Sequence, residues 1–155
     1  MSTIAPGPVR RMSADLARIG VAFLDAPVSG GPIGARNAAL SIMAGGDAAA
    51  FEKARRFFSA MGTTITHVGE SGSGQTGKLC NQLICGINLQ AICEALALGR
   101  AAGVDLPRLR EVLMGGSAAS WMLDNLGPQM TEGDASAGFR IDLMLKDLRL
   151  VAQQA

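Results

Sequence analysis

Aromatic and charged side chains are scarce in this 155-residue sequence, which has no tyrosine, one tryptophan and one histidine. Aromatic residues make up 4% of the chain, too few for the stacking platforms on which single-stranded nucleic acids bind. The 14 Lys and Arg residues nearly balance the 13 Asp and Glu residues, and the sequence has no basic run or stripe. We therefore expect no nucleic-acid partner.

Cysteine is also rare in this sequence. The number and spacing of Cys80, Cys85 and Cys93 fit neither a disulfide framework nor a metal-binding or redox pair. We expect free, buried thiols in a reducing compartment, and no metal site. The sequence lacks the charged start and apolar run of a secretory signal. Its most apolar stretch, residues 79–98, carries five polar side chains, too many for a bilayer span. These features predict a cytoplasmic protein without a membrane partner.

Hydrophobic residues make up 48% of the chain, enough for a sizeable core, and their pattern changes near residue 70. Before that point helical and strand-like patterns alternate, which predicts a mostly parallel sheet covered by helices. After it, one long helix from Ser73 to about Ala102 is apolar nearly all round, so we expect protein to surround it. The predicted strands are residues 21–24, 40–44 and 63–68, and the other predicted helices are residues 9–19, 47–61, 106–114, 118–126 and 140–154.

The most prominent motif is GSGQTGKL at residues 72–79, which matches the dinucleotide fingerprint G-x-G-x-x-G and nearly matches a phosphate loop. A dinucleotide fingerprint needs an acidic residue after a second strand about 20 residues later, where this sequence has the interior of a helix. A phosphate loop needs Ser or Thr after its lysine, and Leu79 stands there. In a third interpretation, the glycines lead into a helix that presents Lys78 and Asn81 on one face, beside Gln82.

A lysine at the start of a helix suits a general acid/base, because the positive end of the helix dipole favours the neutral amine. Asn81 is then placed to hold a substrate oxygen. The competing interpretation is an exposed lysine without a catalytic role. A second glycine-rich loop, Ser29, Gly30 and Gly31, follows a predicted strand. It offers a hydroxyl and unobstructed backbone N–H groups to a carboxylate or phosphate, or it is a plain glycine turn.

Several motifs occur together in an order that resembles one known family. They are MSTIAP at residues 1–6, FLDAPVSGG at 23–31, AGGD at 44–47, G-x-G-x-x-x-K-x-x-N at 72–81, and Phe139 followed by KDL at 146–148. The sequence resembles the β-hydroxyacid dehydrogenases, which include 3-hydroxyisobutyrate dehydrogenase and tartronate semialdehyde reductase and are related to 6-phosphogluconate dehydrogenase. The family's N-terminal glycine fingerprint and its closing helices are missing, so both ends look cut.

The resemblance implies a fold and a role for single residues. The expected fold class is α/β: the C-terminal part of a Rossmann-like parallel-sheet domain at residues 1–72, then a long helix and an incomplete all-α dehydrogenase domain at residues 73–155. Gln82 stands where many members have a second asparagine. The implied roles are Lys78 as catalytic acid/base, Ser29, Gly30, Gly31 and Asn81 as substrate-binding residues, and Thr3 and Lys146 as cofactor-binding residues, with Phe139 and Asp147 nearby.

The function that the resemblance implies is an NAD(P)-dependent oxidoreductase that interconverts a small 3-hydroxyacid and its semialdehyde. The expected cofactor is NAD or NADP, and the expected partners are a small carboxylate substrate and further copies of the chain in a homodimer or higher homo-oligomer. Residues 114–120 look most like the tartronate semialdehyde reductase branch. The alternative is a catalytically inactive fragment that acts as an oligomerisation or binding module, and a phosphate-loop ATPase is the third hypothesis.

Overall fold

The chain folds into two compact units. A computed structural model of the protein describes residues 1–134, 136 and 138–155. The first unit comprises Met1–Gln82 and Gly138–Ala155, and the second comprises Leu83–Ala137. The division into domains at residues 1–72 and 73–155 stays a prediction.

Most elements follow the sequence-based expectation. In chain order the described elements are α1 (Pro6–Ala17), β1 (Leu24–Asp25), β2 (Val28–Ser29), α2 (Gly31–Arg36), β3 (Leu40–Gly46), α3 (Ala48–Phe58), β4 (Gly62–Gly69), α4 (Ser73–Ala101), α5 (Leu106–Met114), α6 (Trp121–Asn125), α7 (Gly127–Glu132) and α8 (Ile141–Gln154).

The small sheet of the first unit is built around β3. This strand pairs in parallel with β4 and antiparallel with both β1 and β2. A single register runs through both antiparallel pairings, from Leu24↔Gly46 to Ser29↔Ser41. Between them, the Pro27 carbonyl accepts a hydrogen bond from the backbone of β3 at 3.0 Å. β1 and β2 are therefore two halves of one strand, interrupted at a proline that lacks an N–H donor.

The pairing of the described strands differs from the mostly parallel sheet expected, because only the β3–β4 pair is parallel. The connection from β2 to β3 covers residues 30–39 and contains only the short helix α2. That is shorter than the dozen or more residues that a parallel crossover needs. The connection from β3 to β4 covers residues 47–61 and carries α3, so it is long enough for parallel pairing.

The core of the first unit lies between the sheet and α3. β3 is buried at alternate positions from Leu40 to Ala44, which is the period of a strand with one face on a core. Asp47 ends this strand and caps α3, because its carboxylate accepts a hydrogen bond from Ala50 N at 2.8 Å. The buried side chains of this core are Ala26, Leu40, Ile42, Ala44, Phe51 and Phe58.

The described elements differ locally from the predicted ones at three places. Residues 21–23 are not part of β1, and the predicted glycine loop contains α2. In addition, α7 follows α6 almost directly, although no helix is predicted at residues 127–132. Pro128 lies in its first turn and Gly133 ends it with a φ of 74°, so both boundary signals are present in the sequence.

The second unit is helical in its described residues. Asp105 caps α5 by accepting a hydrogen bond from Arg108 N at 3.0 Å. Arg110 in α5 donates to the carbonyls of Leu123 and Asp124 at 3.1 and 2.8 Å, which fixes α5 against the end of α6. Among the described residues, its core contains four buried side chains, Ile92, Leu96, Leu106 and Leu123.

The long helix α4 is less buried than the sequence predicted. Only 22% of its most apolar window is buried inside the described chain, and Ile84 and Ile87 are each 60% exposed. Cys80 and Cys93 are exposed, so the expectation of buried thiols is wrong for both. By length and composition alone α4 also meets the criteria for a membrane-crossing helix, a test that core helices of soluble proteins pass as well.

Candidate active site

The start of α4 is held by a buried carboxylate. Asp25, which is 4% exposed, accepts hydrogen bonds from Gly72 N and Gln75 N, each at 2.8 Å. A Cβ on Gly74 would lie 2.7 Å from the carbonyl oxygen of Asp25 and against that of Met43, so only glycine allows this close approach. The glycine motif therefore serves packing. Its helix N-terminus is occupied by the protein's own anion, which contradicts both the dinucleotide-fingerprint and the phosphate-loop interpretations.

Lys78 lies one turn further along α4 and is 9% exposed. Its Nζ donates a hydrogen bond to Gln82 Oε1 at 2.9 Å. The interpretation as an exposed surface lysine is therefore wrong. Lysine is rarely buried to this extent, because removing an ammonium group from water is costly unless partners satisfy it. A buried and positioned lysine is the arrangement that an acid/base residue needs.

Gln82 joins Lys78 to the residues of helix α8. Its Oε1 also accepts a hydrogen bond from Asn81 Nδ2 at 2.9 Å, and its Nε2 donates to Asp147 Oδ2 at 2.7 Å. The other oxygen of Asp147 forms an ion pair with Lys146 Nζ at 2.8 Å. Asp147 is 3% exposed, so this ion pair brings a positive charge to a buried carboxylate, although its Oδ1 accepts no hydrogen bond from the described residues.

The opening segment of the chain lies against the same network. Lys146 Nζ donates to the carbonyl oxygen of Thr3 at 2.7 Å. On either side of Thr3, the side chain of Gln75 donates to Ser2 O at 2.9 Å and accepts from Ile4 N at 3.1 Å. Gln75 is 2% exposed, so a buried side chain satisfies both the carbonyl of Ser2 and the N–H group of Ile4. Thr3 and Lys146 are thus brought together, as their predicted shared role requires.

The second predicted loop lies at the end of β2. Ser29 pairs with Ser41 of β3, and Gly30 and Gly31 have φ angles of 122° and 61°. Their left-handed conformations explain why glycine occupies both positions. A Cβ on Gly31 would meet no atom within 4 Å, so the backbone there is open to a ligand.

Two residues that hold this site together, Gln82 and Gln75, are not among the predicted site residues. A signal for Gln82 was available, because it lies four residues after Lys78 and therefore on the same helix face. Gln75 carries no such signal, since its partners are backbone groups of Ser2 and Ile4, far away in the sequence. Phe139, which the resemblance placed nearby, is 49% exposed.

A separate pocket of about 590 Å³ lies in the first unit, at the end of β3 that contains Gly46. It contains none of the predicted site residues, although it is larger than the second pocket of about 340 Å³. His67 lines it, but this ring stacks on Phe51 at 5.0 Å and its Nε2 lies 2.7 Å from Gly46 O. These contacts give the imidazole a structural role. Among the described residues, no group of three or more metal-binding side chains occurs.

Two family models match the chain. The model for the NAD-binding region of NADP-dependent 3-hydroxyisobutyrate dehydrogenase covers residues 72–155, and that for the NAD-binding domain of 6-phosphogluconate dehydrogenase covers residues 1–69. The chain belongs to the 3-hydroxyisobutyrate dehydrogenase family. This confirms the resemblance found in the motifs. Both models describe NAD-binding regions, which confirms the expected class of cofactor.

Individual members of the 3-hydroxyisobutyrate dehydrogenase family match along the whole chain. The 2-hydroxy-3-oxopropionate reductase of Escherichia coli is 46% identical over 155 residues, which are 100% of this chain and 53% of the relative. The 3-hydroxyisobutyrate dehydrogenase of Pseudomonas aeruginosa is 42% identical over 161 residues, covering 99% of this chain and 54% of the relative. The chain thus spans about half the length of these relatives.

A crystal structure of 3-hydroxyisobutyrate dehydrogenase from Salmonella typhimurium matches with a TM-score of 0.89 and 33% identity. The match covers 99% of this chain and 54% of the crystallised chain. It confirms the α/β fold class with a Rossmann-like part and a long helix. The roles of the individual site residues stay predictions.

Proposed function

We propose that this protein is an NAD(P)-dependent oxidoreductase that interconverts a small 3-hydroxyacid and its semialdehyde. The observation that carries the proposal is the buried ammonium group of Lys78, held at 2.9 Å by Gln82 Oε1 beside Asn81. Such a group can give a proton to a carbonyl oxygen or take one from a hydroxyl. Family membership supports the reaction type, and the relatives' names support 3-hydroxyisobutyrate and 2-hydroxy-3-oxopropionate as the substrate class.

In the reducing direction, Lys78 Nζ gives its proton to the aldehyde oxygen, which becomes the hydroxyl of the product. A bound nicotinamide dinucleotide supplies the hydride that the carbonyl carbon takes up. Asn81 orients the substrate beside Lys78, and Ser29, Gly30 and Gly31 bind the substrate carboxylate. Gly31 supports that last assignment, because the space above its Cα is open and its backbone is not covered by a side chain.

The residues present fit the nicotinamide end of the cofactor. Lys146 keeps a side chain that is 43% exposed while its Nζ contacts Thr3 O, so a charged donor stands beside an accessible backbone segment. This donor set suits the carboxamide or the sugar of a dinucleotide. The start of α4 does not fit the pyrophosphate, because Asp25 occupies the backbone N–H groups of Gly72 and Gln75. We propose that Thr3 and Lys146 hold the nicotinamide end of NAD or NADP.

Titration of the purified chain with NADH and NADPH, followed by nucleotide fluorescence, tests the cofactor assignment. Lys146→Ala removes the charge next to Thr3 and should weaken binding about tenfold, the effect of one charge-assisted hydrogen bond. Lys146→Arg keeps the ion pair with Asp147. Comparing it with Lys146→Ala shows whether binding is lost with the side chain itself or with the folding that the ion pair supports. Lys53→Ala is the matched control, since Lys53 is an exposed lysine of the same unit. Absence of saturable binding at millimolar nucleotide would contradict the assignment.

Turnover of 2-hydroxy-3-oxopropionate or of the semialdehyde of 3-hydroxyisobutyrate, measured by the loss of NADH or NADPH absorbance, tests the reaction. Lys78→Met keeps the length of the side chain and removes the proton donor, so the rate should fall about 10²- to 10⁴-fold. Gln90→Met changes an exposed residue of α4 and should leave the rate unchanged. Equal rates for Lys78→Met and the unmodified chain would refute the acid/base role.

We propose a homo-oligomer as the working form, because Leu83, Ile84 and Ile87 present exposed apolar surface on one stretch of α4. We also propose a cytoplasmic location, because the relatives that match the chain are enzymes. The alternative of a catalytically inactive binding module is not favoured, because a module that only binds needs no buried, positioned lysine.

A further inference from the structure

The Gln82 amide has a partner for each of its hydrogen-bonding positions. Its oxygen accepts from Lys78 Nζ and Asn81 Nδ2, both at 2.9 Å. Its nitrogen donates to Asp147 Oδ2 at 2.7 Å and points a second hydrogen at Met144 Sδ, 4.0 Å away. An amide offers two acceptor positions and two donor positions, so this side chain is fully used. Gln82 is 4% exposed, which leaves little access for water to replace any of these partners.

The arrangement permits only one orientation of the amide. The Asp147 carboxylate can only accept hydrogen bonds, whereas the Lys78 ammonium can only donate them. If the Gln82 amide were rotated by half a turn, its oxygen would face the carboxylate and its NH2 group would face two donors. In a buried site such mismatches cost the full desolvation of the unpaired groups. Asp147 therefore determines which end of Gln82 meets Lys78.

We propose that Gln82 and Asp147 are positioning residues for the acid/base site: Asp147 orients the Gln82 amide, and the amide oxygen holds Lys78 Nζ in place. The inference rests on the proposed function of Lys78. Because the same oxygen also accepts from Asn81, the two side chains assigned to proton transfer and substrate orientation share one acceptor. The amide oxygen can accept from the lysine in its charged and in its neutral form, so Lys78 keeps its place when its proton leaves.

The length of the side chain matters for this role. Gln82 extends from α4 to Asp147 on α8 while its oxygen still reaches Lys78 one turn away. Asparagine is one methylene shorter, so Gln82→Asn should lose the hydrogen bond either to Lys78 or to Asp147. Asp147 is in turn held in place on α8 by its ion pair with Lys146, at 2.8 Å. The positioning of Lys78 thus depends on a residue that follows it by 69 positions (147 − 78) in the sequence.

The chain suits a direct test by nuclear magnetic resonance, because it has only three lysines, Lys53, Lys78 and Lys146. In lysine-labelled protein, the rate at which each NH3⁺ group exchanges its protons with water reports how well that group is hydrogen-bonded. Asp147→Asn preserves shape but lets residue 147 donate as well as accept, so the Gln82 amide is no longer restricted to one orientation. We expect exchange at Lys78 to become about tenfold faster, as for the loss of a hydrogen bond to a charged group. Lys53 should stay within about twofold, because the loss is confined to that bond.

Two further variants complete the test. Gln82→Met keeps the length of the side chain and removes both ends of the amide, so it should accelerate exchange at Lys78 at least as much. Gln90→Met is the matched control, because Gln90 also donates to a carboxylate within α4, that of Glu94 at 2.7 Å, but on an exposed surface. The backbone amide signals of Gly72 and Gln75, which are bonded to Asp25, report whether each variant remains folded.

Unchanged exchange at Lys78 in folded Asp147→Asn, or in folded Gln82→Met, would overturn the proposal. Faster exchange in both variants but not in Gln90→Met would support it. The outcome is separable from that of the proposed function, since it needs neither cofactor nor turnover. If exchange at Lys78 responds as expected but Lys78→Met turns over substrate normally, the positioning is upheld and the acid/base role fails.

Discussion

Replacing Gly74 by alanine should destabilise the first unit by about 2–4 kcal/mol, the sum of an overpacking cost and weakened bonds to a buried carboxylate. A Cβ at this position would lie 2.7 Å from the carbonyl oxygen and 2.9 Å from Oδ2 of Asp25, and against the carbonyl oxygen of Met43. Two of these atoms belong to the backbone and cannot rotate away. Relief requires the start of α4 to move off the strands, which lengthens the bonds from Gly72 N and Gln75 N to Asp25.

Gly77→Ala is the matched control within the same helix, and it should have the opposite sign. Its Cβ would lie 3.7 Å from Met43 Sδ and 3.8 Å from Val68 Cγ1, which is ordinary van der Waals contact. Alanine in a helix interior is favoured over glycine by about 0.5–1 kcal/mol, so this variant should be slightly stabilised. Urea unfolding followed by circular dichroism measures both variants, and amide exchange at Gly72 and Gln75 localises the effect. If Gly74→Ala is as stable as Gly77→Ala, the close approach inferred for α4 is incorrect.

Three further predictions concern the second unit. Leu123→Ala should destabilise it by about 2–5 kcal/mol, because this leucine is 2% exposed in a core of four side chains; the fluorescence of Trp121 in α6 reports the unfolding, and an unchanged midpoint would contradict the assigned core. Arg110→Ala should lower the free energy of unfolding by about 1–3 kcal/mol, because it removes hydrogen bonds to two backbone carbonyls. Arg140→Ala breaks an exposed ion pair and should change stability by less than about 0.5 kcal/mol. Similar losses for both variants would contradict the stabilising role assigned to Arg110. Ile87→Lys should weaken self-association of the chain in sedimentation velocity, since Ile87 is 60% exposed on α4, and a wild-type chain that stays monomeric at all concentrations would refute that role.

The sequence determined most of the secondary structure, because the signals involved are local. Asp47 and Asp105 were readable as helix starts, since a carboxylate three residues before a free N–H is a short-range arrangement. The period of β3 and the length of α4 likewise depend on neighbouring residues only. Family motifs added Lys78 as the candidate acid/base, although the pattern of the residues alone favoured an exposed lysine.

Tertiary structure decided the meaning of the glycine motif and the partners of Lys78. Whether Gly72 and Gln75 present their N–H groups to a ligand depends on Asp25, which is 47 positions before Gly72 in the sequence and meets it only after β1 is in place. The same holds for Asp147, whose carboxylate reaches Gln82 from another helix. Contacts between residues distant in the sequence leave no periodic pattern, because either partner alone has several possible neighbours. The sequence therefore established the elements and their family, whereas folding decided which polar groups are already satisfied and which are positioned to act.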